Sequence, residues 1–291
     1  MNTDLTCWIC NSSNLEVAKK SDMNKVKSNK GFVISGTDYG ITGELHICTN
    51  CGFIQWSEMS NVLDFYENTI EDPIYESLRN GRATQNKKIL EVIKKYKISG
   101  KLLDVGAGSG ILVEQAINKG YIAEGIEPSE WFQKKAKELN LPVHLGSLPH
   151  PEIKGPYDIV TIIDVLEHIP NPVDILRETV KIVEKNGIVV AVTPDCNSLP
   201  AKICGWKWWN FKPGHIGYFN KKTLDLAFTL AGFRKIYQGY RPPIHYPLGF
   251  ILEKIICYLP KAIQFHVPPL LHKLIIPLDL RDSVLGIYTL T

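Results

Sequence analysis

From Lys101 onward, short apolar runs of the chain alternate with segments in which apolar residues recur every three or four positions. The apolar runs predict strands at 102–106, 121–126, 158–164 and 188–193. The periodic segments predict helices at 111–119, 131–139 and 172–184. Strands that alternate with helices are typical of a mostly parallel sheet with helices on both faces. We therefore predict an α/β domain over residues 101–291.

Two further segments are predicted to be helical. Ile89, Leu90 and Ile93 recur at helical spacing within 57–100, which predicts a linker helix that packs against the sheet. Near the end of the chain, apolar residues dominate 242–280 and predict an apolar helical insertion before the last strand.

The composition is that of a globular protein, because 44% of the residues are hydrophobic and 22% are charged. Lysine and arginine number 33 and aspartate and glutamate 30, so the net charge of 33 − 30 = +3 does not favour nucleic acid as a partner. The first residues lack the basic and apolar regions of a secretory signal. No apolar run approaches the ~18 residues of a membrane span. We expect a cytoplasmic protein.

Four of the seven cysteines form two matched pairs, Cys7-x-x-Cys10 and Cys48-x-x-Cys51. Two such pairs in a chain without a secretory signal are typical of a tetrahedral Zn²⁺ site. We predict a zinc ribbon over 1–56 with a loop or hairpin between the pairs; a redox pair or unrelated core cysteines are the alternatives. The other three cysteines are predicted to be buried thiols: Cys196, Cys204 and Cys257.

The loop after the first predicted strand is rich in glycine, with Gly106, Gly108 and Gly110 following Asp104. Glycines allow a backbone to approach a ligand closely and to turn sharply into a helix. Glu127 ends the next strand, where a carboxylate can accept hydrogen bonds from both hydroxyls of a ribose. This combination predicts a nucleoside site, and the alternative is a tight turn in a domain that binds no nucleotide.

Four further segments after the glycine loop form motifs in a recognisable order. They are Gly125-Ile-Glu127-Pro-Ser, the run 157–170, Lys185-Asn-Gly187 and His215-Ile-Gly-Tyr-Phe. Together they resemble the motifs of class I S-adenosylmethionine-dependent methyltransferases over roughly residues 101–241. The resemblance implies a Rossmann-like sheet whose last strand, here 283–290, runs antiparallel. It implies S-adenosylmethionine as cofactor, bound by Asp104, Gly106, Ala107, Gly108, Gly110, Glu127, Pro128, Ser147, Leu148, Asp164 and Val165.

Methyl transfer to a hydroxyl requires a general base near the donor. His168 is our first candidate, because an ordinary imidazole has a pKa of about 6.5. Glu167 would orient the imidazole or face the donor, and His215 is the second candidate base. The alternative for His168 is a histidine at a helix start that only bonds to the backbone.

Aromatic and cationic residues outside the motifs give weaker signals. Trp206, Trp208 and Trp209 are expected either to stack on the acceptor or to form a hydrophobic plug under its loop. By position alone, the resemblance places Tyr66, Tyr75 and Arg82 in the segment that covers the donor.

The acceptor is predicted by analogy with bacterial sugar and surface-polysaccharide methyltransferases, which also carry four cysteines before the domain. We expect transfer to a sugar hydroxyl, whether free, nucleotide-linked or part of a glycan. The alternatives are a ribosomal-RNA base, a phenol or quinone, and a non-catalytic adaptor. The apolar segment 244–278 leaves three roles open: packing on the core, homodimerisation, and peripheral contact with the inner face of the membrane.

Overall fold

The computed structural model describes residues 5–26, 32–36, 38–57, 71–256 and 266–291. Its N-terminal part is a small antiparallel sheet made of β1 (Leu15–Lys19), β2 (Leu45–Cys48) and β3 (Ile54–Trp56). Two helices follow, α1 (Pro73–Ser77) and α2 (Arg79–Lys94). Helix α2 buries Ile89, Leu90 and Ile93, as their spacing predicts. Tyr66 and Cys257 lie outside the described residues.

The centre of the molecule is a seven-stranded sheet. Its strands are β4 (Lys101–Val105), β5 (Ile122–Glu127), β6 (Val143–Leu145), β7 (Tyr157–Ile163), β8 (Val183–Pro194), β10 (Phe233–Tyr240) and β13 (Ser283–Leu290). They lie in the order β10-β13-β8-β7-β4-β5-β6. Strands β4 to β8 pair in parallel, whereas β13 is antiparallel to both of its neighbours. The predicted Rossmann-like sheet with an antiparallel last strand is confirmed.

Five helices connect these strands, namely α3 (Ile111–Asn118), α4 (Glu130–Glu138), α5 (Pro172–Ile182), α6 (Leu199–Cys204) and α7 (Lys221–Ala231). The periodicity predicts three of them, α3, α4 and α5, with bounds within two residues of those observed, whereas α6 and α7 were not predicted. The helix predicted up to residue 184 ends at Ile182, and Asn186 and Gly187, a pair typical of a turn, lie inside β8. The pairing of β7 with β8 shifts register there, so the extra residues form an irregularity rather than a free turn.

The short strand β9 (Gly217–Tyr218) joins the two parts of the chain. It pairs with β3 in antiparallel register and so completes the small N-terminal sheet. Trp56 N also donates to the Ile216 carbonyl at 2.9 Å. One cluster of buried apolar residues runs from Phe53 in the N-terminal part to Val105 in the central sheet. The cysteine-bearing segment is therefore packed directly against the central sheet.

The segment between β10 and β13 is only partly helical. It contains β11 (Ile244–Pro247), α8 (Leu248–Ile256) and β12 (Ile275–Leu278), with β11 and β12 paired in a hairpin. The helical insertion predicted over 242–280 is wrong near its end, because Ile275 is a strand residue and Pro277 cannot donate to a helical ladder. None of the helices in the described ranges combines the length and the apolar character needed to cross a bilayer.

Candidate active site

A cavity of about 1180 Å³ lies at the carboxyl ends of β4, β5 and β7. The glycine loop after β4 forms one wall, and Gly106, Gly108 and Gly110 have φ values of 73°, 54° and 75°. A Cβ on Gly106 would lie 2.4 Å from Val165 Cγ2, and one on Gly108 would lie 3.3 Å from Tyr75 Oη. Glycine is therefore required at position 106, because the backbone is left-handed and there is no room for a Cβ atom.

Glu127 is held rigidly at the end of β5. Its side chain is buried, and its two carboxylate oxygens accept hydrogen bonds from Gly108 N and Ser129 N, both at 2.8 Å. The carboxylate thereby links the glycine loop to the start of α4. Pro128, Ser147 and Leu148 line the cavity beside it, as the resemblance implied.

Asp104 lies near the end of β4, directly before the glycine loop. Its side chain is buried, and its Oδ1 accepts a hydrogen bond of 2.6 Å from Thr161 Oγ1 on β7. Burial raises the pKa of Asp104 to about 7, since the charged form is desolvated. Asp104 therefore carries only a partial negative charge at neutral pH.

Asp164 follows β7 in a left-handed conformation with φ 55°, next to Val165. Both of its carboxylate oxygens accept hydrogen bonds from Arg241 Nη1, at 3.0 and 2.8 Å. Arg241 was not recognised in the sequence. The available signal was its place directly after β10, because side chains at the carboxyl ends of parallel strands meet at one edge of the sheet.

The side chains of Glu167, His168 and His215 lie close together. One side-chain nitrogen or oxygen of each lies within 4.8 Å of the others, and the two imidazole rings are 4.7 Å apart in an edge-on arrangement. Glu167 is fully enclosed and accepts a 2.8 Å hydrogen bond from Thr193 Oγ1. Burial, with the nearby charge of Asp164, raises its pKa to about 8, so the carboxyl is protonated at neutral pH.

Both histidines are neutral at physiological pH. Burial and the charge of Lys212 lower the pKa of His168 to about 4 and that of His215 well below its usual range. His168 Nδ1 donates to the Gly214 carbonyl at 2.6 Å, which leaves Nε2 as the basic nitrogen. His168 and His215 both line the cavity, but only 4% of His215 is exposed. The structure therefore makes His168 the more accessible base.

The remaining walls come from segments distant in the sequence. Phe32, Ser35 and Tyr39, which lie between the two cysteine pairs in the sequence, line the cavity. Phe250 and Ile251 of α8 also line it, so the apolar face predicted for this helix contributes to the cavity.

The tryptophan cluster is divided between two environments. Trp208 is fully buried in the core, as the plug interpretation predicts, whereas Trp209 lines the cavity and donates from Nε1 to Asp282 Oδ2 at 2.8 Å. Trp206 is 39% exposed. Tyr75 and Arg82 both line the cavity, with the guanidinium 3.9 Å from the centre of the tyrosine ring.

The four N-terminal cysteines form a cluster separate from the cavity. Cys7 Sγ lies 3.6 Å from Cys51 Sγ, and Cys10 Sγ lies 3.6 Å from Cys48 Sγ. Four ligands at a Zn–S distance of about 2.3 Å lie roughly 3.8 Å apart, which fits this cluster. Asn11 and Gly52 follow each pair with left-handed φ values of 57° and 82°. Their amides donate to the carbonyls of Cys7 and Cys48, so the two knuckles have the same backbone turn.

Two of the other three cysteines lie within the described residues, and they differ from the expectation of buried thiols. Cys196 and Cys204 are only half-buried. Cys196 is nevertheless desolvated enough that burial raises its pKa to about 12, so it is not a reactive thiolate.

A family described as "Methyltransferase domain" matches residues 77–238. The chain belongs to this family. The ubiquinone biosynthesis O-methyltransferases of Vibrio campbellii and Bordetella avium are 33% and 34% identical to it over 105 residues, which is 33% of this chain. The alignments cover 45% and 44% of those proteins, so the chain spans less than half the length of these relatives. The PH0226 protein of Pyrococcus horikoshii shares the fold, with a TM-score of 0.50, 16% identity, and coverage of 77% of this chain and 95% of that one.

The matched family is one of methyltransferase domains, and the cavity fits S-adenosylmethionine, the methyl donor that the resemblance in the sequence implies. The glycine loop leaves a cradle that a Cβ at position 106 or 108 would narrow, and Glu127 presents a fixed carboxylate beside it. These residues would hold the methionine and ribose parts of the cofactor. When bound, S-adenosylmethionine supplies a methyl group attached to a cationic sulfur. The acidic groups of Asp104 and Asp164 suit that charge.

Proposed function

We propose that this methyltransferase methylates a hydroxyl of a small aromatic molecule, a phenol or a hydroquinone. The observation that carries the proposal is the neutral His168 imidazole on the wall of the mostly apolar cavity that the glycine loop also lines. The named O-methyltransferase relatives support transfer to oxygen and to a small molecule. The sugar hydroxyl expected from the sequence has no support from these comparisons.

In the proposed mechanism, His168 accepts the proton of the acceptor hydroxyl at Nε2. The bond from Nδ1 to the Gly214 carbonyl fixes the tautomer and the direction of the ring. An imidazole with a pKa of about 4 is a weak base. It is therefore better matched to a phenol, with a pKa of about 10, than to the much less acidic hydroxyl of a sugar.

The walls of the cavity support an aromatic acceptor as well. Phe32, Phe250 and Ile251 contribute apolar surface to the cavity. A planar ring can pack against such surface while its hydroxyl points to His168. Holding the hydroxyl in line with the methyl group supplies much of the rate, because methyl transfer is a displacement that depends on positioning.

We also propose that Cys7, Cys10, Cys48 and Cys51 bind a structural Zn²⁺. The sulfur spacing and the two matched turns support this site. Since β3 of the same segment pairs with β9, the metal would stabilise the loop that carries His215.

The acceptor proposal is tested by incubating the purified enzyme with S-adenosylmethionine and three acceptor classes: phenols and hydroquinones, nucleotide-linked sugars, and ribosomal RNA. Mass spectrometry of the products should show one added methyl group on the oxygen of a phenol or hydroquinone. A methylated sugar or RNA base, with the phenols unchanged, would contradict the proposal.

A further inference from the structure

Arg79, the first residue of α2, binds the glycine loop although it does not itself line the cavity. Its Nη1 donates to the Ser109 carbonyl at 3.3 Å and to the Ser109 hydroxyl oxygen at 3.0 Å. Its Nη2 donates to Glu114 Oε2 of α3 at 2.7 Å. Gly108 lines the cavity, whereas Ser109 does not. The guanidinium therefore holds the loop at a residue that does not face the cavity.

The contact between Arg79 and Ser109 is strong for its kind. Ser109 is fully buried, and a buried hydroxyl that loses its hydrogen-bond partner is costly to the arrangement that contains it. Only 20% of the Arg79 side chain is exposed, and hydrogen bonds from a charged donor are stronger than those between neutral groups. Glu114 and Glu76, whose Oε2 lies 3.5 Å from Nη1, offset the charge of the guanidinium. Arg79 therefore fixes the position of Ser109.

The position of Ser109 bears on the donor site through Gly108, the residue directly before it. Gly108 has a left-handed φ of 54°, and its amide donates to Glu127 Oε2 at 2.8 Å. Glycine lacks a Cβ that would restrict its backbone, so its conformation must be held by its neighbours. Glu127 holds the amide side of Gly108, and Arg79 holds the carbonyl side through Ser109. The cradle and the ribose-binding carboxylate are thus both linked to α2.

We propose that Arg79 is a positioning residue for the methyl donor, because it keeps the glycine loop in the conformation that binds S-adenosylmethionine. The inference goes beyond the proposed function, since it concerns donor affinity and does not depend on which hydroxyl is methylated. A planar guanidinium presents its donors as a rigid fork, which lets one side chain bind Ser109 and Glu114 at once. A lysine ammonium is a point charge without that fork.

Arg79→Met should weaken the affinity for S-adenosylhomocysteine about tenfold, because the charge-assisted hydrogen bonds that hold the loop are lost. Calorimetry on the full-length protein measures this affinity. In steady-state kinetics the KM for S-adenosylmethionine should rise, while turnover at saturating donor stays near that of the wild type. This split is expected because Arg79 touches neither the donor nor the acceptor.

Lys119→Met is the matched control. Lys119 follows α3 directly and forms an ion pair with Glu91 of α2, so this variant removes another contact between the same two segments without involving the glycine loop. A general loss of stability from weaker packing of α2 on α3 should appear in the melting temperatures of both variants. Weaker binding of S-adenosylhomocysteine should appear only in Arg79→Met.

Arg79→Lys keeps the test decisive if Arg79→Met does not fold. The ammonium retains a charge opposite Glu114, so the melting temperature should stay near that of the wild type, whereas the affinity should still fall about threefold without the fork. Ser109→Ala should weaken binding in the wild type but hardly further in Arg79→Lys, because both changes remove the same contact. Hydrogen exchange of the Gly108 amide should be faster in Arg79→Lys than in Lys119→Met, because its bond to Glu127 opens more often.

Equal affinities of the wild type, Arg79→Met and Arg79→Lys would overturn the inference, and so would an equal loss of affinity in Lys119→Met. A wild type that does not bind S-adenosylhomocysteine would also overturn it, because the loop would then not be a donor site. Failure of the proposed function gives a different result. If the affinity depends on Arg79 as expected but no phenol is methylated, only the acceptor is wrong.

Discussion

Arg241 Nη1 binds both carboxylate oxygens of Asp164, although 77 residues separate the two in the chain. The pair joins the loop after β7 to the end of β10 across the opening of the cavity. It also holds Asp164 in a left-handed conformation, which glycine, asparagine and aspartate adopt more readily than other residues. The pair thus fixes the backbone directly before Val165, the residue that contacts the glycine loop.

Removing the cation should therefore destabilise the protein. We expect Arg241→Met to lower the free energy of unfolding by about 1–2 kcal/mol, because a half-buried carboxylate loses its partner. Denaturant titration of the single variants and of Asp164→Asn/Arg241→Met measures the coupling between the two residues. Additive single effects would show that the pair contributes nothing to stability.

Gly106 provides a sharper test of the cofactor site. Gly106→Ala should weaken binding of S-adenosylhomocysteine at least about tenfold, because the new Cβ would lie 2.4 Å from Val165 Cγ2 and force the loop to shift. Gly120→Ala is the matched control, since Gly120 has a similar φ of 88° with no atom within 4 Å of its Cβ position. Both variants should lose about 1 kcal/mol of stability through backbone strain, but Gly120→Ala should bind the ligand normally. Calorimetry that finds equal affinities for the two variants would contradict this use of the loop.

The glycine loop and Glu127 could be predicted from the sequence because each depends on neighbours in the chain. A strand, a glycine turn and an acid at the end of the next strand are all visible locally. Arg241 and Lys212 could not be predicted in this way, because their place at the cavity depends on how distant segments fold together. The same holds for Phe32, whose segment lies between the cysteine pairs and reaches the cavity only after that part docks.

The hairpin of β11 and β12 was missed for a different reason. Its two strands are only four residues long, and such short segments fit a helix or a strand equally well. Pro277 was the available signal against a helix, because proline has no amide hydrogen.

Zinc content tests the cysteine cluster. Purified protein should contain about one Zn²⁺ per chain, and Cys48→Ser should lose it and lower the melting temperature by at least about 5 °C. Cys196→Ser is the control, since this thiol lies outside the cluster and should leave the metal content unchanged. Elemental analysis that finds iron, or no metal in the wild type, would exclude the zinc site.

Glu167 should make stability depend on pH. Because burial raises its folded pKa to about 8 from an ordinary value near 4.5, the folded state holds a proton that the unfolded state releases. The contribution of this proton to the free energy of unfolding is fully present below about pH 4.5 and is lost as the pH rises through 8. In Glu167→Gln this loss should be absent. Between pH 5 and pH 9, the free energy of unfolding should therefore fall by on the order of 2–4 kcal/mol less in the variant than in the wild type. Denaturation at both pH values provides the measurement, and the exposed Glu138→Gln should behave like the wild type.

His168 is the residue on which the proposed chemistry depends most directly. His168→Ala should reduce turnover on the order of 10²–10⁴-fold while the affinity for S-adenosylhomocysteine stays near that of the wild type. Burial lowers the pKa of His168 to about 4, so the base is already neutral at pH 6. The decrease of the rate on the acid side, the acid limb, should therefore have its midpoint near pH 4 rather than near pH 6.5.

That acid limb separates catalysis from simple positioning. The limb should be absent in His168→Ala and present in His215→Ala. In His215→Ala, which loses a buried ring, mainly the KM for the acceptor should rise. If instead His215→Ala removes the limb and His168→Ala retains turnover, the two roles are exchanged. If neither substitution alters turnover, positioning alone drives the transfer, and the acceptor hydroxyl must reach the site already ionised.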